Sequence, residues 1–205
     1  MPVDLAALVD PAHTAVVTQE CQNGVIGSPA ALPELAAIAR REMVPNAARL
    51  VAAARERGVP VVHCVAARRA DGRGSNHNAR LFVGMRRTPV PLLPGTPAVE
   101  VIPEIGVTGD DIVLTRLHGL GPMGGTDLDP VLRNLGVTTV VGVGVSVNVG
   151  MIDLAFDAVN AGYQVVMPRD AVAGIPEDYA RAVLEHTLSL VCTLPTTDEV
   201  IAAWS

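Results

Sequence analysis

Polar residues follow three apolar stretches of the chain, and their types could support acid–base chemistry. Glu20 ends the first stretch, Arg116 the second, and Ser146 to Gly150 the third. A carboxyl group can transfer protons, and a guanidinium binds a carboxylate in a bidentate manner. Free backbone amides at the start of a helix attract anions. These groups together predict a reaction on a small anionic molecule.

The alternation of apolar runs with amphipathic stretches predicts the elements that must position these residues. Such an alternation is typical of βαβ units, and it predicts a doubly wound, mostly parallel α/β sheet with helices on both faces. Ligands of such sheets bind outside the carboxyl ends of the strands, where the three polar segments lie. The predicted strands cover residues 15–20, 59–65, 111–115, 137–145 and 163–167, and the predicted helices cover 34–42, 45–57, 126–135, 148–161, 177–191 and 197–204.

Residues 1–205 are predicted to form a single domain that contains a long irregular region at 66–109. This region begins with a polar loop around His77 and continues into a proline-rich tract. Loops of this length within a domain are usually functional or disordered. We therefore expect a lid over the site, with an ordinary surface loop as the alternative.

The composition favours a protein with a large core that also associates with itself. Apolar residues make up 49% of the chain and charged residues 18%, and the mean hydropathy is +0.37. Because large exposed apolar surfaces usually mark interfaces, we expect a homo-oligomer, either a dimer or a tetramer.

Charge and hydropathy argue against several other classes of partner. The net charge of −6 disfavours nucleic acid. The longest apolar run, 139–152, is too short and too interrupted to span a membrane. No signal peptide is expected, and three widely spaced cysteines favour neither disulfides nor a zinc site. The predicted location is the cytoplasm.

A nucleotide cofactor is not expected either. Gly142 and Gly144 suggest the start of a dinucleotide-binding G-x-G-x-x-G motif, but the third glycine position is occupied by Val147. We predict no cofactor and a small-molecule substrate.

Three segments resemble the isochorismatase-like hydrolases, which belong to the cysteine hydrolase superfamily. Residues 15–23 are similar to the first strand of that family, which ends in Asp-x-Gln-Asn. Thr115-Arg116, followed by Gly-Thr-Asp-Leu at 125–128, is similar to the Thr-Lys and Gly-Thr-Asp-Leu of the family. The Gly-Val-x-x-Asn-Val turn at 144–149 is similar to the turn that holds the nucleophile.

The resemblance implies a catalytic triad whose residue types differ in this chain. The family aspartate falls on Glu20, the lysine on Arg116 and the cysteine on Gly150. Isochorismatases that hydrolyse a vinyl ether resemble this chain in having glycine at the third position. The resemblance therefore implies hydrolysis without a cysteine nucleophile, of a vinyl ether or a related C–O or C–N bond. Glu20 would be the general acid, with its pKa raised by burial. Arg116 would anchor the substrate or form a structural ion pair with Glu20.

The remaining expectations follow partly from the same resemblance and partly from the positions of residues in the loops and turns. It implies a cis peptide bond between Val145 and Ser146. It implies no metal, because the metal-binding relatives use an Asp-x-His pair after the second strand, and the strand here carries only His63. The candidate substrate-binding residues are Asn23, His77, His118, Ser146 and Val149.

Two alternatives to this enzyme remain open. The three changes in the triad would also suit a non-catalytic member that binds a small molecule or acts as an interaction subunit. Amide hydrolysis could instead use a displaced nucleophile, Cys21 or Cys64. Adjacent residues of a strand face opposite sides of a sheet, so Cys21 should pack beneath the site if Glu20 faces it.

Overall fold

A computed structural model describes residues 3–205 and contains a six-stranded parallel sheet. Five strands follow the order β3-β2-β1-β4-β5, and β6 extends the pairing of β4 at its carboxyl end. The strands are β1 (Thr14–Gln19), β2 (Val61–Ala66), β3 (Ile112–Arg116), β4 (Thr139–Val145), β5 (Gln164–Val166) and β6 (Val172–Ala173). The predicted mostly parallel α/β fold is confirmed.

Helices cover both faces of this sheet. They are α1 (Leu5–Leu8), α2 (Asn23–Ile26), α3 (Pro33–Ala39), α4 (Met43–Glu56), α5 (Arg80–Met85), α6 (Leu128–Asn134), α7 (Ile152–Asn160), α8 (Glu177–His186) and α9 (Thr197–Ala203). Within the described part of the chain, no helix combines the length and the apolarity needed to cross a membrane.

Two apolar cores form because side chains along the central strands alternate between the faces of the sheet. Val16 of β1 packs with α3, α4 and α9 on the first face. Ala15 and Val17 pack with α6, α7 and α8 on the second face. Every residue of β4 is buried, as expected for a strand that is covered on both sides.

The structure revises the predicted elements at several points. The predicted helix at 148–161 consists of a π-helical turn, Val147–Met151, followed by α7. The region at 66–109 contains the short helix α5 and a 3-10 turn at Pro97–Val99. The two-residue strand β6 and the first helix, α1, were not predicted, because segments this short carry no clear periodicity.

A buried polar cluster joins α4 to the sheet beneath the first core. The Thr18 hydroxyl and His63 Nδ1 are 2.8 Å apart, and His63 Nε2 lies 3.5 Å from Asp111 Oδ2. Arg55 Nη2 donates to the same Asp111 oxygen at 2.7 Å. Burial raises the pKa of Asp111, but the hydrogen bonds from Arg55 and from the amide of Thr108 outweigh it and hold that pKa below its usual value.

Replacing Asp111 with Asn should destabilise the protein, because it leaves the Arg55 guanidinium without its counter-charge. The Asp111 side chain is only 2% exposed. Loss of one partner from a buried pair typically costs about 3–5 kcal/mol, and since Arg55 is partly hydrated we expect about 3 kcal/mol. Urea unfolding would measure the loss. Asp71→Asn, which breaks the exposed Arg69–Asp71 pair, should have a much smaller effect. Equal losses of unfolding free energy in Asp111→Asn and Asp71→Asn would contradict the prediction.

The Arg55–Asp111 pair should also make the free energy of unfolding depend on pH under acidic conditions. Because the pKa of Asp111 is lowered in the folded state, its contribution is complete above the ordinary aspartate value of about 4. The contribution is lost as the pH falls through the lowered folded value. Asp111→Asn should therefore flatten the decline of unfolding free energy below about pH 4.

Candidate active site

A cavity of about 170 Å³ lies at the carboxyl ends of the central strands. An engineered cavity of about 150 Å³ holds a benzene molecule, so this space suits a molecule about the size of a single ring. Its polar and backbone lining comes from Glu20, Arg68, Asn76, Arg86, Arg116, His118, Ser146 and Gly150, and its apolar lining includes Leu32, Leu35, Leu81, Phe82, Met85, Leu92 and Val149.

Glu20 enters the cavity because the backbone changes direction directly after β1. Its φ of +52° is left-handed, and within residues 3–205 no other non-glycine residue has a positive φ. That conformation costs about 1–2 kcal/mol for an L-residue. The Glu20 amide donates to the Cys64 carbonyl oxygen at 2.8 Å, which fixes the turn to β2. Strain at a residue that lines a cavity is typical of functional sites.

Arg116 reaches the same cavity from the end of β3, across the end of β2. Its Nη2 forms an ion pair with Glu20 and donates to the Leu120 carbonyl oxygen at 3.0 Å. Burial raises the pKa of Glu20, and the charge and hydrogen bond of Arg116 only partly offset this. The Glu20 side chain remains 22% exposed. The pair is therefore accessible to a ligand and retains a carboxyl group with a raised pKa.

Asp153 of α7 is a second carboxyl group that is affected by the charge of Arg116. Burial raises its pKa, the charge of Asp157 adds to the increase, and Arg116 opposes it. A methyl group built on Gly121 would collide with the Asp153 carboxylate, so only glycine fits at 121. The loop after Arg116 can therefore pack closely on α7.

The turn after β4 forms the opposite wall of the cavity. The Val145–Ser146 peptide bond is cis, as the resemblance implied. Val149 and Met151 donate their amides to the Ser146 carbonyl oxygen at 3.1 and 3.0 Å. These two amides are thus engaged, and Val149 offers the cavity its side chain instead. Gly150 is buried and contributes backbone only.

The other predicted residues are distributed unevenly around the cavity. His118 lines it and is exposed. Asn23 does not line it, because α2 turns its amide towards the Pro97 carbonyl oxygen at 3.0 Å. His77 lies in an adjoining depression, where it contacts Arg86. Both were predicted to bind substrate, and the structure places both outside the cavity lining.

Several cavity residues were not predicted. Arg68 and Arg86 line the cavity, and among the described residues neither has a carboxylate within 4 Å. Asn76 accepts a hydrogen bond from the Gly119 amide at 2.8 Å and so links two loops above the site. The basic composition of the loop was the only signal that could have found the arginines. Residues 3–205 contain no group of three or more side chains arranged to hold a metal ion.

Comparison with known proteins supports one family. The model of the isochorismatase domain matches residues 14–199. YwoC of Bacillus subtilis (strain 168), an isochorismatase family protein, is 33% identical over 102 residues, or 50% of this chain and 53% of the relative. YecD of Escherichia coli O157:H7, from the same family, is 27% identical over 112 residues, or 51% and 59%. The matched regions span little more than half of these curated relatives.

Solved structures match over nearly the whole chain. A cysteine hydrolase from Pseudomonas syringae pv. phaseolicola 1448A has a TM-score of 0.84 and 27% identity, covering 96% of this chain and 94% of the other. N-carbamoylsarcosine amidase from Thermoplasma acidophilum has a TM-score of 0.72 and 25% identity, covering 91% and 97%.

None of the three cysteines should react as a thiolate in the native protein. Burial raises the pKa of Cys21, Cys64 and Cys192 to about 12 in each case. A thiol-specific reagent at pH 8 should label all three in urea and label Cys21 and Cys64 very slowly without it. Mass spectrometry of the labelled peptides would measure the rates. Rapid native labelling of Cys21 or Cys64 would instead favour a displaced nucleophile.

Proposed function

The chain belongs to the isochorismatase family, and from that premise we propose that it hydrolyses a small anionic molecule without a cysteine nucleophile. The observation that carries the proposal is the Glu20–Arg116 pair, which lines a cavity of ring-molecule size beside Gly150. A non-catalytic member would be expected to have an open or collapsed site, so the cavity favours the enzyme.

Water is the nucleophile that best suits this cavity. Gly150, which we place at the family cysteine position, offers no side chain for attack. Cys21 and Cys64 are 1% and 3% exposed, and neither lines the cavity. A reaction that needs only a proton donor and water therefore fits the residues present.

Glu20 is the proton donor that we propose. Its raised pKa favours the protonated form, and ion pairing through Oε1 leaves the other carboxyl oxygen for a substrate. With a vinyl ether, Glu20 would protonate the terminal carbon, and water would add to the resulting oxocarbenium carbon while returning a proton to the carboxylate. Collapse of the hemiketal breaks the C–O bond and yields a ketone and an alcohol.

The anionic part of the substrate would be held by arginine. Arg116 is already engaged by Glu20 and by the Leu120 carbonyl oxygen, so it serves mainly to set the charge and position of Glu20. Arg68 and Arg86 line the cavity without a carboxylate partner and are better placed to bind a substrate carboxylate. This assignment transfers the expected anchoring role from β3 to the loop.

We propose that the segment around α5 acts as a lid. Leu81, Phe82 and Met85 of this helix line the apolar side of the cavity. Leu81 is also 41% exposed, so the helix covers the site without being buried in the core. Closure of such a segment would exclude bulk water from the reacting groups.

We further propose that the chain forms a homo-oligomer, a dimer or a tetramer, through the surface around β3. This strand is an edge of the sheet, and Val113 on it is 46% exposed. Exposed edge strands and apolar patches are usually covered by another surface. The exposed Leu117 lines the same depression as Val113, and the exposed Leu81 and Leu120 line the adjoining cavity together with Leu117.

Glu20→Gln should fold normally and lose turnover, because the amide cannot donate an acidic proton. Small vinyl ethers, esters and amides that carry a carboxylate would be screened by product detection, and unfolding curves would verify the fold. We expect a loss of about 10²–10⁴-fold on the best substrate. Full activity in Glu20→Gln would refute the role of this residue. No turnover of any compound by the wild type would favour a binder.

The pH dependence of turnover should identify Glu20 as an acid. Because the protonated form is active, turnover should fall as the pH rises through its raised pKa. Arg116→Met removes the charge that lowers the pKa of Glu20, so the falling limb should move to higher pH. If the falling limb of the pH profile stays at the same pH in Arg116→Met, a group other than Glu20 controls turnover.

Light scattering after size-exclusion chromatography would test self-association. The wild type should have at least twice the 21.3 kDa mass of the chain. Val113→Glu should reduce that mass by placing a charge in the patch around β3. Leu190→Glu is the matched control, since Leu190 is 80% exposed and lies near β5, at the opposite edge. A monomeric wild type would overturn the proposal.

A further inference from the structure

Gln19 is a buried polar residue that the proposed reaction has not yet used. It is the last residue of β1 and is 0% exposed. Among residues 3–205, neither its Oε1 nor its Nε2 has a hydrogen-bond partner. Buried side-chain amides are nearly always paired, and an unpaired one lowers stability. The fold alone therefore does not explain this side chain.

The position of Gln19 places its amide next to Gly150, a residue of the cavity lining, although Gln19 itself does not belong to that lining. Side chains alternate along β1, so Gln19 shares the face of Ala15 and Val17, which is the face covered by α7. A methyl group built on Gly150 would lie only 2.8 Å from Gln19 Nε2. Gly150 lines the cavity, and the absence of a side chain there gives the amide its space.

The Leu120 carbonyl oxygen connects this amide to the Glu20–Arg116 pair. It would lie 3.4 Å from the same methyl group on Gly150, and it accepts a hydrogen bond from Arg116 Nη2 at 3.0 Å. Arg116 Nε is itself buried and without a partner among the described residues. The unsatisfied donors and acceptor therefore belong to Gln19, next to Gly150, and to Arg116 of the ion pair.

We propose that Gln19 binds the reacting oxygen, holding a water molecule or a substrate oxygen between Gly150 and the Glu20–Arg116 pair. A carboxamide supplies one acceptor and two donors, so it can accept from the attacking water and also donate to an oxygen of the substrate. Exchange of the amide oxygen and nitrogen would leave the same functions available. This inference rests on the proposed hydrolysis and assigns the group that positions its water.

Gln22 offers a matched comparison within the same segment. It is also 0% exposed, but its amide is satisfied. Its Oε1 accepts from the Ala66 amide at 2.7 Å, and its Nε2 donates to the carbonyl oxygens of Ala66 and Ala98 at 2.9 and 3.2 Å. Replacing Gln22 with Met should therefore lower the melting temperature, because it leaves backbone groups unpaired.

Gln19→Met should have a much smaller effect, because the Gln19 amide has no protein partner to lose and methionine keeps a similar shape. We expect a melting temperature close to that of the wild type. On the best compound from the hydrolysis screen, kcat should fall about 100-fold with little change in KM, since the water is misplaced. The pH at which turnover falls should stay the same, because Glu20 still titrates.

Crystal structures of the wild type and of Gln19→Met provide a readout that needs no substrate. The wild type should contain an ordered water or ligand oxygen within about 3 Å of the Gln19 amide, and the variant should lack it. An empty site in the wild type, a melting temperature that falls as in Gln22→Met, or an unchanged kcat would each overturn the proposal. If no compound is hydrolysed, the proposed function fails, while the bound oxygen and the melting temperatures still decide the role of Gln19.

Discussion

The close contact between β1 and β4 at their carboxyl ends is the constraint on which the site depends. A methyl group on Gly144 would lie 2.2 Å from the Gln19 carbonyl oxygen, and Gly144 has a φ of +121°. Only glycine satisfies both conditions. The contact aligns the two strand ends, so Glu20 emerges opposite the turn that contains Ser146. A larger residue at 144 would separate the two strand ends that position Glu20 and the turn.

Burial explains how one carboxyl group can be ion-paired and still keep a raised pKa. Burial acts on Glu20 more strongly than its arginine partner does. Arg116 interacts with three groups, which are Glu20, the Leu120 carbonyl oxygen and the nearby Asp153. A guanidinium stays charged at all relevant pH values, so it can tune the carboxyl group without exchanging protons with it. The ion pair is thus compatible with acid catalysis.

The sequence predicts the fold and the meeting of Glu20, Arg116 and the turn at 146–150, because β-rich runs and the strand-end rule determine which segments share an edge. It does not predict which loop side chains reach the cavity. Asn23 is directed away by α2, whereas Arg68 lines the cavity, and neither orientation follows from periodicity. Gln19 is not predicted as a site residue for a related reason. The alternation of side chains along β1 predicts the face of the sheet on which Gln19 lies, but it does not predict that Gly150 of the adjacent helical turn leaves space for its amide.

Several buried polar atoms at or near the site have no hydrogen-bond partner, and this is its most distinctive physical feature. Eight buried side-chain atoms lack a partner within residues 3–205, and three of them belong to Gln19 and Arg116. A fourth, the Ser75 hydroxyl, belongs to a residue that lines the cavity. The other four belong to His13, Thr14, His63 and Asn148, which do not line the cavity. Four unsatisfied atoms at or next to one cavity, at the expense of stability, favour a polar occupant of that cavity.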